Sequence, residues 1–290
     1  MLCWLNDRII EAEEARISPF DRGFLFGDGI YEVVQYFNRV GVGLDLHIER
    51  MNKSLARTAI TGFDPASMHA IAATLLEASH LHDALMYLQV TRGTQIPRAH
   101  LPKPGVPPTV FGYAIAGPSL AELERPRTIN AMLLPDDRWR RCAIKSTSLI
   151  ANVLAALEGD RHGAQEVILH RDGLLTEGSM TNVFIVLDGG LVTPPIDTEP
   201  SILAGVTRAL LIETARAAGM TIQERPIQVA ELDRADEVFV ASTRRLIDAV
   251  IGIDGRTIGS GSAGSLTVQL FERLRVRIAD NCGCSLHSLA

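Results

Sequence analysis

The chain has 290 residues, of which 47% are hydrophobic and 21% charged, so its length fits one large α/β unit or two modest domains and excludes a peptide or a repeat array. A net charge of −6 argues against a nucleic-acid partner, because counterion release needs a basic surface. No apolar run approaches the ~18 residues of a membrane span, and charge begins at Asp7, too early for a signal peptide, so we expect a cytoplasmic protein that binds no membrane.

The first half of the chain predicts β structure followed by helices. One helix carries Ile48, Met51, Leu55 and Ala59 on one face, and another runs from Pro65 to about Ser79. Strands are predicted where β-branched and aromatic residues cluster between turn signals: Leu2–Leu5, Arg8–Glu11, Ile30–Phe37, Gly43–Leu46, Leu85–Arg92 and Thr109–Ala116. The proline-rich segment between the last two strands predicts an exposed functional loop, and Gly117-Pro118 with Pro126 marks a domain boundary.

The second half predicts hairpins with helices interspersed irregularly. Its helices are indicated by a stripe from Leu149 to Leu157, a run from Thr207 to Ala218 and a closing stripe from Leu266 to Ile278. Its strands are Glu166–Leu169, Asn182–Leu187, Leu191–Thr193, Glu237–Ala241 and Ala249–Ile253. Asp172-Gly173 and Asp188-Gly189 are typical of tight hairpin turns. Strand pairs joined by short turns favour an α+β fold over a doubly wound parallel sheet.

Lysine is scarce in this chain, which makes each lysine informative. Of 28 basic residues only Lys53, Lys103 and Lys145 are lysines, so arginine serves wherever positive charge alone is needed. A primary amine, unlike a guanidinium, can lose its proton and form a Schiff base. Lys53 falls in a solvated helix and Lys103 lies between two prolines, so Lys145 is the candidate for chemistry.

Two further features predict what Lys145 would act on. Gly205-Val206-Thr207-Arg208 precedes a helical run and would offer free N–H groups and the Thr207 hydroxyl to a phosphate, although Thr207 could equally well be a helix cap. Glu177 precedes a turn glycine and a buried strand, where a carboxylate needs a partner. An amine, a phosphate cup and a buried acid together suggest pyridoxal 5'-phosphate.

The cysteines predict no metal site. Cys3, Cys142, Cys282 and Cys284 are too few and too scattered for a disulfide framework, and Cys282-Gly283-Cys284 lacks the spacing of a zinc knuckle. We therefore interpret all of them as free thiols.

Several motifs resemble the fold-type IV pyridoxal-phosphate enzymes. They are Phe20-Asp21-Arg22-Gly23, Phe26-Gly27-Asp28-Gly29-Ile30-Tyr31-Glu32-Val33, Ile144-Lys145-Ser146, Leu175-Thr176-Glu177-Gly178-Ser179, Thr181-Asn182-Val183-Phe184 and Gly205-Val206-Thr207-Arg208. The resemblance runs from about Asn6 to Leu274. It implies a small N-terminal α+β domain over 1–120, a larger C-terminal cofactor-binding pseudo-barrel domain over 121–280, a tail over 281–290, and a homodimer.

Within that family the chain is most similar to D-amino acid aminotransferases. Pro97-Arg98-Ala99-His100 resembles their carboxylate-binding loop, and Tyr31 could donate a further hydrogen bond. Gln89 stands where branched-chain enzymes carry an arginine. The expected activity is amino transfer from a D-amino acid to a 2-oxo acid. The alternatives are a branched-chain L-aminotransferase, an (R)-amine transaminase, an aminodeoxychorismate lyase-like enzyme and a non-catalytic carrier of pyridoxal phosphate.

The resemblance also implies a role for each site residue. Lys145 forms the Schiff base and moves the proton, and Glu177 pairs with the ring nitrogen while Leu203 packs on the ring. The residues implied for the phosphate are Arg50, Val206, Thr207, Ser242 and Thr243, and those implied for the substrate are Tyr31, Val33, Arg98 and His100. Arg244 and Arg245 depart from the family pattern and could bind a second substrate carboxylate.

Overall fold

The computed structural model describes residues 1–286 and divides the chain into two compact units. Unit 1 comprises Met1–Ser119, Ile144–Leu149 and Asn281–Cys284, and unit 2 contains Leu120–Ala143 and Ile150–Asp280. In residues 1–286 we find no helix with the length and apolar character needed to cross a bilayer. The fold is α+β, as predicted.

The segment Ile144–Leu149 belongs to unit 1 although the chain on both sides of it belongs to unit 2. The Tyr31 N–H donates to the Lys145 carbonyl at 3.0 Å, the Thr147 N–H donates to the Gly29 carbonyl at 3.0 Å, and Ile144 is buried in the unit 1 core. The predicted domain over 121–280 therefore differs from the structure, because pairing with the Gly29–Phe37 strand attaches Lys145 to unit 1.

Unit 1 is built on a six-stranded antiparallel sheet with strand order β2-β1-β6-β5-β3-β4. Its elements are β1 (Leu2–Leu5), β2 (Arg8–Glu11), α1 (Arg22–Phe26), β3 (Gly29–Phe37), β4 (Val40–Gly41), α2 (Leu44–Thr58), α3 (Met68–Ala78), β5 (Ala84–Thr91) and β6 (Thr109–Ala116). Buried residues of α2 and α3, such as Met51 and Leu75, pack with the sheet residues Met86 and Leu88. This packing gives α2 one buried face, which positions the polar residues His47 and Arg50.

One strand prediction in unit 1 is wrong. Gly43–Leu46 was expected to be a strand, but α2 begins at Leu44. Asn38 and Arg39 both have positive φ, 48° and 62°, and close a tight hairpin, so the return strand is already over at Gly41.

Unit 2 is built on a nine-stranded mixed sheet, in which β15 pairs with β14 beside the path β12-β11-β10-β13-β14-β7-β8-β9. Its strands are β7 (Arg127–Pro135), β8 (Glu166–Arg171), β9 (Leu174–Gly178), β10 (Asn182–Leu187), β11 (Gly190–Thr193), β12 (Ile222–Glu224), β13 (Glu237–Ser242), β14 (Leu246–Ile253) and β15 (Arg256–Thr257). Its helices are α4 (Ile150–Arg161), α5 (Val206–Ala217) and α6 (Ser265–Cys282), of which the last two residues are assigned to unit 1.

The hairpin turns of unit 2 have the predicted chemistry. Asp172 and Gly173 have φ of 52° and 79°, and Asp188 and Gly189 have φ of 50° and 73°. Both pairs satisfy the positive φ that two-residue hairpin turns require. The predicted tail over 281–290 differs from the structure in that α6 continues to Cys282, and 287–290 lie outside the described residues.

Candidate active site

Lys145 lies in a different environment from the other two lysines. Its Nζ is 4.2 Å from the centroid of the Tyr31 ring, and its backbone N–H points at the buried Ser54 hydroxyl at 3.4 Å. Lys53, by contrast, is exposed and pairs with Glu49, and the Lys103 Nζ donates to the Ile96 carbonyl. Lys145 is thus the half-buried lysine, and its amine lies against an aromatic ring.

A buried charged cluster lies in the same unit, between β3 and α2. The Glu32 carboxylate accepts hydrogen bonds from Arg50 Nε at 2.8 Å and Nη2 at 2.6 Å, and it lies 2.6 Å from His47 Nδ1. Burial alone would raise the pKa of Glu32, but Arg50 and His47 lower it to about 2. Burial also lowers the pKa of His47, so its neutral ring donates to Glu32. Arg50 is therefore held by a fixed counter-charge.

The sequence gives little sign of this cluster. Glu32 interrupts the apolar strand Ile30–Phe37, and His47 and Arg50 stand three residues apart on a helix. These spacings place His47 and Arg50 on one helix face. Only the pairing of β3 with α2 brings all three side chains together.

Tyr31 and Val33 share the opposite face of β3 from Glu32, because side chains alternate along a strand. In the antiparallel register Tyr31 is opposite Gln89, and Val33 is opposite Tyr87. The Tyr87 hydroxyl donates to Gln89 Oε1 at 2.7 Å, and the Tyr31 and Tyr87 rings are 5.5 Å apart. Gln89 thus forms part of a neutral polar and aromatic surface.

Arg98 and His100 are exposed on the loop between β5 and β6. The Arg98 guanidinium carbon lies 4.3 Å from the centroid of the Phe26 ring, and the His100 ring centroid lies 5.5 Å from it. The structure therefore brings both predicted carboxylate ligands to a single aromatic ring in unit 1, the unit that also holds Lys145, Tyr31, Val33 and Arg50.

Glu177, at the end of β9 in unit 2, is buried and accepts hydrogen bonds from three donors. Its Oε1 accepts from Arg138 Nη1 at 2.7 Å, and its Oε2 accepts from the Leu203 N–H at 3.0 Å and from Asn182 Nδ2 at 3.2 Å. Burial raises the pKa of Glu177, against the opposing effect of Arg138 and of the Leu203 N–H. A carboxylate poised in this way can hold a proton between itself and a ring nitrogen.

Arg138 is itself fixed by a second acid. Its Nε and Nη2 each donate to Asp136 at 2.9 Å, and Asp136 also accepts from the Thr176 hydroxyl at 2.9 Å. Burial would raise the pKa of Asp136, but the Arg138 hydrogen bonds lower it. The sequence predicted no role for Arg138. In the structure its guanidinium holds the Glu177 carboxylate in one orientation.

The N-terminus of α5 has no side-chain cap. Its N-cap, Gly205, has extended backbone and supplies no capping side chain, and the first N–H groups of a helix have no partner within it. A Cβ at position 205 would overlap the Asn182 side chain. Thr207 is buried and is the second residue of α5, so it is not the N-cap residue of this helix. This terminus fits a phosphate monoester.

Ser242 ends β13, and Thr243, Arg244 and Arg245 form the turn to β14. Ser242 and Thr243 are half-buried, whereas both arginines are exposed. These four residues lie in unit 2 with Glu177, Leu203, Val206 and Thr207. The predicted site residues thus form one set in each unit.

Known proteins similar to this chain share one family. A sequence model of the family described as Amino-transferase class IV matches residues 29–251. The D-alanine aminotransferase of Bacillus licheniformis is 38% identical over 265 residues, which cover 90% of this chain and 92% of that protein.

Solved structures agree in fold. The branched-chain aminotransferase of the archaeon Thermoproteus uzoniensis, solved with norvaline, is 26% identical and superposes with a TM-score of 0.84 over 98% of this chain and 95% of that one. A protein from Mycobacterium tuberculosis described as a hypothetical aminotransferase, solved in its PLP-bound form, has a TM-score of 0.82 at 22% identity over 97% of this chain and 100% of that one, which shows the fold. From the family match and the identity to the Bacillus enzyme, the chain belongs to the class IV aminotransferase family.

Proposed function

We propose that this chain transfers an amino group from a D-amino acid to a 2-oxo acid with pyridoxal 5'-phosphate as cofactor. The observation that carries the proposal is the pairing of Arg98 and His100 on the Phe26 ring, in the unit that holds Lys145. An arginine fork and an imidazole suit a carboxylate. The identity of 38% to a D-alanine aminotransferase supports the choice of donor.

The residues of this chain fit the cofactor in four chemical respects. Lys145 supplies an amine for its aldehyde, Glu177 a carboxylate for its ring nitrogen, and Leu203 an apolar surface for its ring. The uncapped α5 terminus at Val206 with the Thr207 hydroxyl suits its phosphate, as do Arg50, Ser242 and Thr243. When bound, pyridoxal phosphate serves as an electron sink for the bond that breaks at the substrate α-carbon.

Lys145 and Glu177 would have different roles in the reaction. Lys145 Nζ would hold the cofactor through its aldehyde carbon. As a free amine beside the bound substrate, it would take the proton from the substrate α-carbon and then act as the acid that returns it, so one group would serve as base and acid. Glu177, oriented by Arg138, would hold the ring nitrogen in its protonated form. A second substrate, a 2-oxo acid, runs the same steps in reverse.

Substrate orientation depends on the carboxylate ligands. Arg98 and His100, with the Tyr31 hydroxyl, would hold the α-carboxylate, which decides whether a D- or an L-amino acid turns its α-hydrogen toward Lys145. Gln89 is hydrogen-bonded to Tyr87 and is neutral, so it offers no charge for an α-carboxylate on the opposite side of the substrate pocket. Arg244 and Arg245, both exposed, would bind the side-chain carboxylate of an acidic amino acid that serves as the amino donor.

We also propose a homodimer, for which α4 supplies a face. Ile150, Val153, Leu154 and Leu157 on this helix are all exposed, from 47% to 71%. A contiguous exposed apolar surface is typical of a protein interface. Leu154→Glu should therefore shift the protein toward monomer in analytical ultracentrifugation, and a dimer unchanged by this substitution would contradict the assignment. A cytoplasmic location stays a prediction from the sequence.

The experiment that tests the function is a panel of D- and L-amino acids, with pyruvate and 2-oxoglutarate as acceptors, in which the spectrum of the bound cofactor is followed in each half-reaction. We expect D-alanine and D-glutamate to react faster than their L-forms. A preference for L-valine or L-leucine would indicate a branched-chain enzyme, turnover of amines without a carboxylate an amine transaminase, and pyruvate release from one substrate a lyase. Cofactor binding without any turnover would indicate a carrier.

A further inference from the structure

Arg22 belongs to a sequence motif that the proposed function leaves without a role. Its side chain is buried, and each of its three nitrogens has a partner. Nε donates to Asp28 Oδ2 at 2.7 Å, Nη1 to the Ala99 carbonyl at 2.6 Å and Nη2 to the His100 carbonyl at 2.9 Å. The planar fork of a guanidinium fixes the relative positions of the groups it joins. Arg22 therefore fixes the backbone of the loop that carries Arg98 and His100.

Asp28 anchors Arg22 to the rest of unit 1. It accepts from Arg92 Nε at 2.8 Å and Nη2 at 2.9 Å, and Arg92 also donates to the Thr58 and Ala59 carbonyls at the end of α2, both at 2.7 Å. Burial would raise the pKa of Asp28, but hydrogen bonds from Arg92 and Arg22 hold it below its ordinary value. The carboxylate thus stays ionised between two guanidiniums, and neither can move away without leaving a charge unpaired.

Phe26, four residues after Arg22 on α1, contacts the side chains of Arg98 and His100. Its ring centroid lies 4.9 Å from the guanidinium carbon of Arg22 and 4.3 Å from that of Arg98. The His100 ring lies 5.5 Å from the same centroid. Cations over an aromatic face are attracted by its quadrupole.

The start of α1 is equally well fixed. Asp21 accepts hydrogen bonds from the Gly23 N–H at 2.8 Å, from the Thr91 hydroxyl at 3.0 Å and from the Thr109 hydroxyl at 2.6 Å. Thr91 ends β5 and Thr109 begins β6, the two strands that the loop joins. Helix α1 is therefore a rigid support tied to both ends of the loop.

We propose that Arg22 is the positioning residue for the substrate carboxylate: it holds the Ala99 and His100 carbonyls so that the side chains of Arg98 and His100, placed on Phe26, present a preformed carboxylate site. The carboxylate part of this inference rests on the proposed function. The attachment of the loop to Arg22 does not. A lysine at position 22 would keep the charge but could not reach two carbonyls and Asp28 in one plane.

The test compares Arg22→Lys with Arg16→Lys. Arg16 is a matched control because it also donates to two main-chain carbonyls, those of Glu13 and Ala15. It differs from Arg22 in being exposed and in forming these hydrogen bonds outside the loop that carries Arg98 and His100. In Arg22→Lys we expect faster hydrogen–deuterium exchange in the peptide 94–104 and a KM for D-alanine raised about tenfold, with a much smaller change in kcat. Arg16→Lys should leave all three quantities unchanged.

A double-mutant cycle separates positioning from a general structural effect. If Arg22 acts through Arg98 and His100, then Arg22→Lys should raise the KM for D-alanine by a smaller factor in an Arg98→Ala background than in the wild type. Additive effects on KM would overturn the proposal, and so would unchanged exchange over 94–104 in Arg22→Lys.

Two outcomes need a second measurement. Should Arg22→Lys not fold, Phe26→Leu carries the test: it should raise the KM for D-alanine in the same direction, and an unchanged KM would overturn the proposal. If the wild-type protein does not transaminate D-alanine, the proposed function fails, and the exchange of 94–104 alone then decides whether Arg22 holds the loop.

Discussion

Glu32 is a buried acid whose loss should destabilise unit 1. Its carboxylate is fully buried and neutralises Arg50, and its pKa is lowered from 4.5 to about 2. Each unit of such a difference corresponds to about 1.4 kcal/mol, so the ionised carboxylate contributes about 3 kcal/mol to the free energy of unfolding. Glu32→Gln keeps the shape but turns an amide donor toward Arg50 or His47. We expect Glu32→Gln to lose about that free energy at neutral pH, since a neutral amide no longer balances the buried charge of Arg50.

The pH dependence has a definite sign. A lowered carboxyl pKa stabilises the folded state above 4.5, and this contribution is lost as the pH falls from 4.5 toward about 2. The difference between wild type and Glu32→Gln should therefore be constant above pH 4.5 and shrink below it. A constant difference down to pH 3 would show that the carboxylate is not the cause.

The assay is urea unfolding of unit 1 followed by tryptophan fluorescence. The chain has two tryptophans, Trp4 in unit 1 and Trp139 in unit 2, so a Trp139→Phe background makes Trp4 the sole reporter. Glu49→Gln is the matched control, because Glu49 is an exposed acid on the same helix whose pair with Lys53 is worth less than about 1 kcal/mol. If Glu32→Gln lay within that margin of wild type, the reasoning would be refuted.

Three further predictions concern the cofactor and the substrate. Glu177→Gln should slow the half-reaction with D-alanine by about one to two orders of magnitude, through loss of a charge-assisted hydrogen bond, while cofactor affinity changes little; equal half-reaction rates in stopped-flow would make Glu177 structural only. Arg98→Ala should weaken donor binding about tenfold to a hundredfold, with a milder loss for His100→Ala, and full activity of Arg98→Ala in steady-state kinetics would contradict the carboxylate assignment. Gly205→Ala would push a Cβ into Asn182, a donor to Glu177, and should cost about 1–3 kcal/mol of stability. It should also lower cofactor affinity in a fluorescence titration, and an unchanged affinity would show that Gly205 does not contribute to the phosphate site.

Local signals predicted most of the fold. The strands Leu2–Leu5, Arg8–Glu11, Thr109–Ala116 and Asn182–Leu187 have the predicted bounds, because alternation and turn residues define them within the segment itself. β7, at Arg127–Pro135, was not predicted. It pairs in parallel with β14 and β8, which are distant in sequence. Its apolar residues Met132, Leu133 and Leu134 are consecutive and only partly buried, so alternation is lost in the second half of the strand.

For the site, the sequence identified reactive residues but not those that hold them. The scarcity of lysine singled out Lys145, and the structure gives it an aromatic neighbour in Tyr31. The supports, namely Glu32 for Arg50 and Arg138 for Glu177, depend on contacts between segments 18 and 39 residues apart. Long-range pairing of this kind leaves no periodicity to detect. The roles of the site residues stay predictions.

Lys145 is the residue that we propose to bind pyridoxal phosphate. The most direct measurement is borohydride reduction of the protein with its bound cofactor, followed by mass spectrometry of its peptides. With three lysines in the chain, Lys53, Lys103 and Lys145, the assignment is unambiguous. We predict the pyridoxyl label on Lys145 in wild type and no label in Lys145→Ala. A label on Lys53 or Lys103, or no covalent label in wild type, would contradict the account.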